Sequence, residues 1–194
     1  MTDEEILKKG IEKLGLIVNN LKIKKLLEYA ELVREGNKWV HLVSKRDEKR
    51  IISKHILESL KVVPYIPKGA RCADIGSGAG FPGIPVKIFR DDIDMTLVER
   101  NKKKALFLIE VISRLGLKSI QVIADRIANV KISYQCLLIR CGENLPKLEE
   151  EIEHLLSDGN YLLLIKSGQV FKVTDKVNLL TDYNKGLKST LKEV

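Results

Sequence analysis

The stretch Cys72-Ala73-Asp74-Ile75-Gly76-Ser77-Gly78-Ala79-Gly80-Phe81-Pro82-Gly83-Ile84-Pro85 decides how the rest of this chain is read. Cys72, Ala73 and Ile75 have the apolar character of a buried strand end. Gly76, Gly78 and Gly80 then turn the chain sharply, and without a Cβ they let a ligand lie against the backbone. Pro82 and Pro85 mark a helix start, where proline is tolerated. The pattern predicts a strand, a glycine loop and a helix, a nucleotide-type site at the carboxyl edge of a parallel sheet.

The spacing of the glycines selects among nucleotides. A dinucleotide loop reads G-x-G-x-x-G, but here Phe81 stands where the third glycine would fall, and Gly80 comes early. The G-x-G-x-G form preceded by Asp74 is similar to the first motif of S-adenosylmethionine (SAM) methyltransferases. SAM has no pyrophosphate to seat on a helix N-terminus. It has a cationic sulfonium and amino group, which a carboxylate at Asp74 is placed to attract, directly or through water. Met95-Thr96-Leu97-Val98 reads as a second buried strand closed by Glu99. An acidic residue about twenty positions past the glycines is where ribose hydroxyls are held, because a carboxylate accepts two hydrogen bonds side by side.

Length and charge narrow the rest. A chain of 194 residues is one compact domain, and no apolar run long enough for export or membrane spanning is present, so a cytoplasmic protein is expected. Cys72, Cys136 and Cys141 fit no metal spacing, and His41, His55 and His154 are scattered, so no metal site is expected. The formal net charge is +8 and it is uneven: residues 1–70 hold 15 Lys/Arg against 10 Asp/Glu, whereas residues 133–165 hold 2 against 6. A basic surface concentrated in part of the chain favours a polyanion, with nucleic acid the first candidate.

Helical periodicity is seen over residues 3–14, from Asn19 or Asn20 to Gly36, and over 50–62. The helical region 1–68 is therefore expected to pack on a core of residues 69–194. Strands are predicted near 71–75, 94–98, 119–124, 134–139 and 160–165, with helices near 83–90, 101–115 and 147–156. That alternation predicts an α/β, Rossmann-like fold: a mostly parallel twisted sheet with helices on both faces. A helix near 170–180 and an edge strand near 187–193 complete the expectation. Trp39, the only tryptophan, is expected to anchor the helical region on the sheet.

Four blocks carry a resemblance to one family: Gly36-Asn37-Lys38-Trp39-Val40-His41-Leu42-Val43-Ser44-Lys45-Arg46-Asp47, Lys54-His55-Ile56-Leu57-Glu58-Ser59-Leu60, the loop from Asp74 to Pro85, and Glu99-Arg100-Asn101-Lys102-Lys103-Lys104-Ala105-Leu106-Phe107-Leu108. Together they resemble the RsmG (GidB) methyltransferases, which act on a guanine N7 in small-subunit ribosomal RNA. Two departures stand out. Ile127-Ala128 follows Arg126 where the family has an alanine and an acid, and Gln135 replaces an aspartate; Arg140 and Lys166 keep their family positions.

The resemblance implies a class I methyltransferase fold, SAM as cofactor and 16S ribosomal RNA or the small subunit as partner, with a monomeric protein. It implies that Gly76, Phe81, Ile127, Ala128 and Arg140 contact or line the SAM pocket, joining Asp74, Gly78, Gly80 and Glu99. Asp125 is a candidate to replace the missing acid on the adenine amino group. No acid–base residue is needed, because guanine N7 carries a lone pair and no proton; Arg140 is assigned to orienting substrate or cofactor. Lys45, Arg46, Arg100, Lys102, Lys103 and Lys166 are the candidate RNA contacts. Two alternatives are a SAM-dependent methyltransferase of another substrate and a weakened homologue that binds SAM or RNA without transfer.

Overall fold

The computed structural model describes residues 1–140, 152–166, 168–173 and 192–193. Among the described residues, seven strands form one sheet: β1 (Arg71–Ile75), β2 (Asp94–Val98), β3 (Ile120–Ile123), β4 (Tyr134–Arg140), β5 (Leu156–Lys166), β6 (Gln169–Val173) and β7 (Lys192–Glu193). Their spatial order is β3-β2-β1-β4-β5-β6-β7. β1 to β5 run parallel, and β6 and β7 are antiparallel. The order reverses between β1 and β4, so the loops leaving these two strands diverge and open a crevice at the carboxyl edge. Gln135, on β4, accepts the Arg71 N–H at 2.8 Å and so fastens the start of the β1–β4 pair.

Side chains alternate across the sheet, as a pleated strand requires. Cys72, Met95, Leu97, Cys136, Leu138, Leu163 and Ile165 join the core on one face. Ala73, Ile75, Val98, Leu137, Ile139, Leu162 and Leu164 join the core on the other. The first face carries the helices α1 (Asp3–Lys13), α2 (Asn20–Gly36), α4 (Leu57–Leu60), α5 (Gly83–Phe89) and α6 (Lys102–Arg114), whose buried residues share one apolar cluster with the sheet. On the second face, the described covering elements are two short 3₁₀ turns, Ile127–Asn129 and Glu153–Leu155. The predicted helix near 147–156 falls mostly outside the described residues. No helix among the described residues is long and apolar enough to cross a membrane.

The helix starts follow local rules. Thr2 and Glu5 form a capping box at α1. The Asn19 side chain accepts the Lys22 N–H at 2.9 Å and starts α2. The short α3 (Lys45–Glu48) is capped by Ser44. The helix predicted over 50–62 is not uniform: Ile51–Ile56 is π-helical and passes into α4.

Two expectations are corrected. Residues 169–173 form β6 instead of the start of a helix over 170–180. Gly168, at φ +79°, makes the turn, and Val170 and Phe171 alternate into the two cores beside β5. Residues 174–180 lie outside the described residues; of the predicted edge strand only 192–193 are described, as β7. Trp39 is not an anchor, for it is 85% exposed in the turn after α2. Leu42 and Val43 fill the inward positions of that segment. The anchoring role belongs to Tyr29, fully buried on α2, whose hydroxyl donates to the Ala79 carbonyl at 2.8 Å and whose ring tilts against Phe81.

Candidate active site

The glycine loop leaves β1 held from two sides. Gly76 and Ser77 donate their N–H groups to the Val98 carbonyl at 2.9 and 3.1 Å, which ties the loop to the end of β2. The Glu99 carboxylate completes the tie: one oxygen accepts the Gly78 N–H at 2.8 Å and the other accepts the Asn101 N–H at 2.7 Å. Glu99 is thus buried and aimed at the loop. Gly76 (φ +70°) and Gly78 (φ +58°) occupy the left-handed region that glycine permits. Beyond the Cα of Gly76 lies open space, with no atom within 4 Å of a Cβ placed there.

Two cavities flank this loop. The first, of about 470 Å³, is walled by Leu42, Val43, Lys54, His55, Glu58, Ser77, Ala79, Phe81, Arg140 and Ile165. The second, of about 310 Å³, is walled by Ile75, Gly76, Val98, Glu99, Arg100, Asp125, Arg126 and Ile127. Gly76, Glu99 and Ile127 therefore meet in one cavity, and Phe81 and Arg140 meet in the other. Ala128 is exposed beside Ile127 but walls neither cavity. Asp125 does wall the second, where its carboxylate accepts from Asn129 at 2.9 Å and from the Arg126 N–H at 2.6 Å; these bonds hold it below the usual carboxylate range.

Asp74 and Gly80 sit beneath the loop. Asp74 is fully buried, and one of its oxygens accepts the Gly83 N–H at 2.9 Å, the first turn of α5. Its other oxygen has no hydrogen-bond partner. Burial, with the nearby Glu99 charge adding to it, raises this carboxyl to about 7. At Gly80 (φ +102°) a Cβ would lie 2.6 Å from Ile84 and 3.0 Å from the Tyr29 hydroxyl, so close packing demands glycine there.

Around Arg140 the structure gathers residues that the sequence reading quoted without assigning a role. Arg140 donates to Glu58 Oε2 at 2.8 Å, to the Lys54 carbonyl at 3.2 Å and to His55 Nδ1. A guanidinium has no acceptor, so Nδ1 of His55 is the acceptor and the ring proton resides on Nε2. Burial, reinforced by the Arg140 charge, lowers His55 to about 4, and the imidazole is neutral. The His55 ring stacks on Phe81 at 4.9 Å, and the guanidinium lies 5.9 Å from the same ring. Lys54 pairs with Asp47 at 2.7 Å. Within the helix 51–60, Lys54, His55 and Glu58 are the titratable residues among five isoleucines and leucines and two serines, and that cluster is the signal the sequence offered.

The basic candidates spread along the same edge. Lys45 and Arg46 are exposed on α3, directly after Leu42 and Val43 of the first cavity wall. Lys166 ends β5, next to Ile165 of that wall. Arg100 walls the second cavity, and Lys102 and Lys103 are exposed at the start of α6. Among the described residues, no group of His, Cys, Asp and Glu is arranged to hold a metal.

The open cradle over Gly76, the carboxylate closing β2 and the two cavities beside the loop fit a ligand of mixed polarity, whereas Asp74 lies buried beneath the loop and walls neither cavity. Comparison with known proteins agrees. The family described as GidB, rRNA small subunit methyltransferase G, matches residues 22–190. Proteins named ribosomal RNA small subunit methyltransferase G are similar to this chain. That of Neisseria meningitidis serogroup C is 35% identical over 86% of this chain and 81% of its own length. That of Nitrosococcus oceani is 35% identical over 84% and 77%. Among solved structures, a Plasmodium falciparum protein described as a protein-L-isoaspartate O-methyltransferase, in complex with S-adenosyl-L-homocysteine, aligns with TM-score 0.55 at 16% identity over 91% of each chain. MtNAS in complex with S-adenosylmethionine aligns with TM-score 0.52 at 18% identity over 84% of this chain and 71% of that one. The fold is that of the class I SAM-dependent methyltransferases, the cofactor is S-adenosylmethionine, and the chain belongs to the rRNA small subunit methyltransferase G (GidB) family.

Proposed function

We propose that this chain transfers a methyl group from SAM to N7 of a guanine in 16S ribosomal RNA, acting as a cytoplasmic monomer on the small subunit or its RNA. The observation that carries the proposal is the pair of cavities sharing the glycine loop: Gly76 walls one, and Ser77, Ala79 and Phe81 wall the other. When bound, SAM supplies an electrophilic methyl on a sulfonium.

In this reading the second cavity takes the adenosine. Glu99 accepts the ribose hydroxyls on lone pairs its loop bonds leave free. Ile127 gives the adenine an apolar wall, and Asp125 meets its amino group. Gly76 and Gly78 allow close approach, and Asp74 and Gly80 set the loop from below. The first cavity takes the methionine end and the target base. Arg140, fixed by Glu58, His55 and the Lys54 carbonyl, orients an acceptor oxygen there, and Phe81 provides a flat wall. Direct attack by N7 moves no proton, so the chain needs no general base; its contribution is alignment of two reactants. A neutral His55 suits this chemistry, because Arg140 and Lys54 on the same wall are each paired with a carboxylate and an imidazolium would add a positive charge beside them. Lys45, Arg46, Arg100, Lys102, Lys103 and Lys166 would meet RNA phosphates.

The test is to incubate the protein and labelled SAM with small subunits, and separately with naked 16S ribosomal RNA, from a strain lacking the gene. Label at the N7 of one guanine is expected, with binding that weakens as salt rises. No label, or label on a base amine or ribose hydroxyl, overturns the assignment.

A further inference from the structure

The turn between α2 and α3 has two sides with different fates. Its inner side carries Leu42 and Val43, which are buried and wall the first cavity. Its outer tip carries Trp39, 85% exposed. A single exposed apolar side chain needs no explanation by itself. Three further observations set Trp39 apart.

The backbone that presents it is fixed. Trp39 and Val40 donate their N–H groups to the Gly36 carbonyl at 3.0 and 2.9 Å. The Asn37 side chain accepts the Leu42 and Val43 N–H groups at 2.9 and 3.0 Å and donates to Glu48 at 3.0 Å. The indole is therefore held out on a braced turn. The segment that carries it is cationic: Lys38, Lys45, Arg46, Lys49 and Arg50 are exposed, whereas its two carboxylates are engaged, Asp47 by Lys54 and Glu48 by Asn37. It stands four residues before Val43 of the cavity wall, at most about 14 Å along the chain.

An exposed aromatic side chain on a braced turn, in a cationic segment that leads into the cavity wall, suits a polyanion that carries planar rings. We propose that Trp39 is a stacking post for one unpaired base of the RNA next to the target nucleotide, with Lys38, Lys45 and Arg46 holding the adjoining phosphates. This rests on the ribosomal RNA reading above and adds a single-stranded segment to it. Stacking on one ring is tolerant of base identity, so the post fixes the path of the strand and leaves choice of the base to the cavity.

The chain has one tryptophan, so its fluorescence reports on this position alone. The full chain is titrated with a uridine oligonucleotide, with an RNA duplex of equal length and with heparin. Quenching by the single strand is expected, with little quenching by the duplex, whose bases stack on one another, or by heparin, which has charge and no bases. Trp39→Ala is expected to weaken single-strand binding about 5- to 150-fold, with Tm and SAM affinity unchanged, and Trp39→Phe to retain most of the binding. Equal quenching by heparin, or unchanged RNA affinity in Trp39→Ala, overturns the proposal. So does a variant that binds RNA normally yet no longer binds small subunits, because that result assigns Trp39 to a ribosomal protein. Methyl transfer to ribosomal RNA without a Trp39 response defeats the post and leaves the enzyme reading standing. A Trp39 response with no transfer does the reverse.

Discussion

The two cavities on either side of the glycine loop share a wall and are built by opposite means. The one at Glu99 draws on three consecutive strand ends, at residues 75–76, 98–100 and 125–127, and its polar contacts are largely to backbone N–H groups. The one at Arg140 draws on residues 42–58, 77–81, 140 and 165, and its polar contacts are among side chains. The first is a property of the parallel sheet and its turns. The second exists only because the helical region folds onto the carboxyl edge. It follows, in the proposed reading, that a change at Glu99 should act mainly on SAM binding, and a change at Arg140 mainly on transfer from bound SAM.

The sharpest way to break this division is Arg140→Ala. It removes three hydrogen bonds and strands the Glu58 carboxylate, and methyl transfer should fall by at least about 100-fold, the loss of two or more charge-assisted bonds of about 1.5–3 kcal/mol each. SAM affinity measured by calorimetry should change far less than transfer. Equal losses in both would erase the distinction. Arg140→Lys should recover little, because an ammonium cannot reproduce the fork that meets His55 and Glu58 together.

Next in size is Glu99→Ala, expected to weaken SAM binding by about 1.5–3 kcal/mol. An unchanged dissociation constant would remove Glu99 from the site.

Two glycines sharpen the same contrast. A Cβ at Gly83 would lie 2.4 Å from Leu97 and 2.7 Å from the Asp74 carboxylate, so Gly83→Ala should cost about 1–3 kcal/mol of stability through overpacking. A Cβ at Gly76 meets open space, so Gly76→Ala should cost about 1–2 kcal/mol in backbone strain, seen in denaturant unfolding, and also obstruct SAM, seen in calorimetry. Normal SAM affinity in a folded Gly76→Ala protein would show that the cradle is not used.

The smallest effect concerns pH. His55 titrates near 4 when folded, below its ordinary value of 6.5, so between these values the unfolded chain binds the extra proton and stability falls as pH falls. Asp74 titrates near 7 when folded, above its ordinary 3.8, so over that range the folded chain keeps the extra proton and stability falls as pH rises. The two slopes oppose each other. Wild-type stability should be nearly flat from about pH 5 to 6.5, and Asp74→Asn should uncover a rise with pH across that window. Parallel curves for the two proteins would show that these groups are not linked to folding in this way.

Much of the fold was written in local patterns. β1 and β2 lie where short, mostly apolar runs stand, at 71–75 and 94–98, because a strand covered on both faces buries nearly all its side chains; Asp74 and Thr96 are the buried polar exceptions. β6 escaped because its alternation spans only five residues and its pairing depends on β5 lying alongside, which no local signal conveys. The site divides in the same way. Gly76 and Glu99 follow from a motif and a spacing. His55, Glu58 and Lys54 owe their role to Arg140, more than eighty residues away, and nothing within the helix names that partner. Trp39 was misjudged because bulk and apolarity usually imply burial, and only the course of the turn shows which side faces water.

The π-helical stretch at Ile51–Ile56 has a consequence for how this chamber tolerates change in length. Two carbonyls there accept from side chains, Lys54 from Arg140 across the cavity and His55 from the Ser59 hydroxyl one turn on. A wide turn of this kind stores one surplus residue. Deleting that residue would let the segment tighten into an ordinary coil with both ends in place, while rotating Lys54 and His55 away from the guanidinium. Here the count of amino acids, more than their identity, sets the aim of the side chains that line the cavity at Arg140.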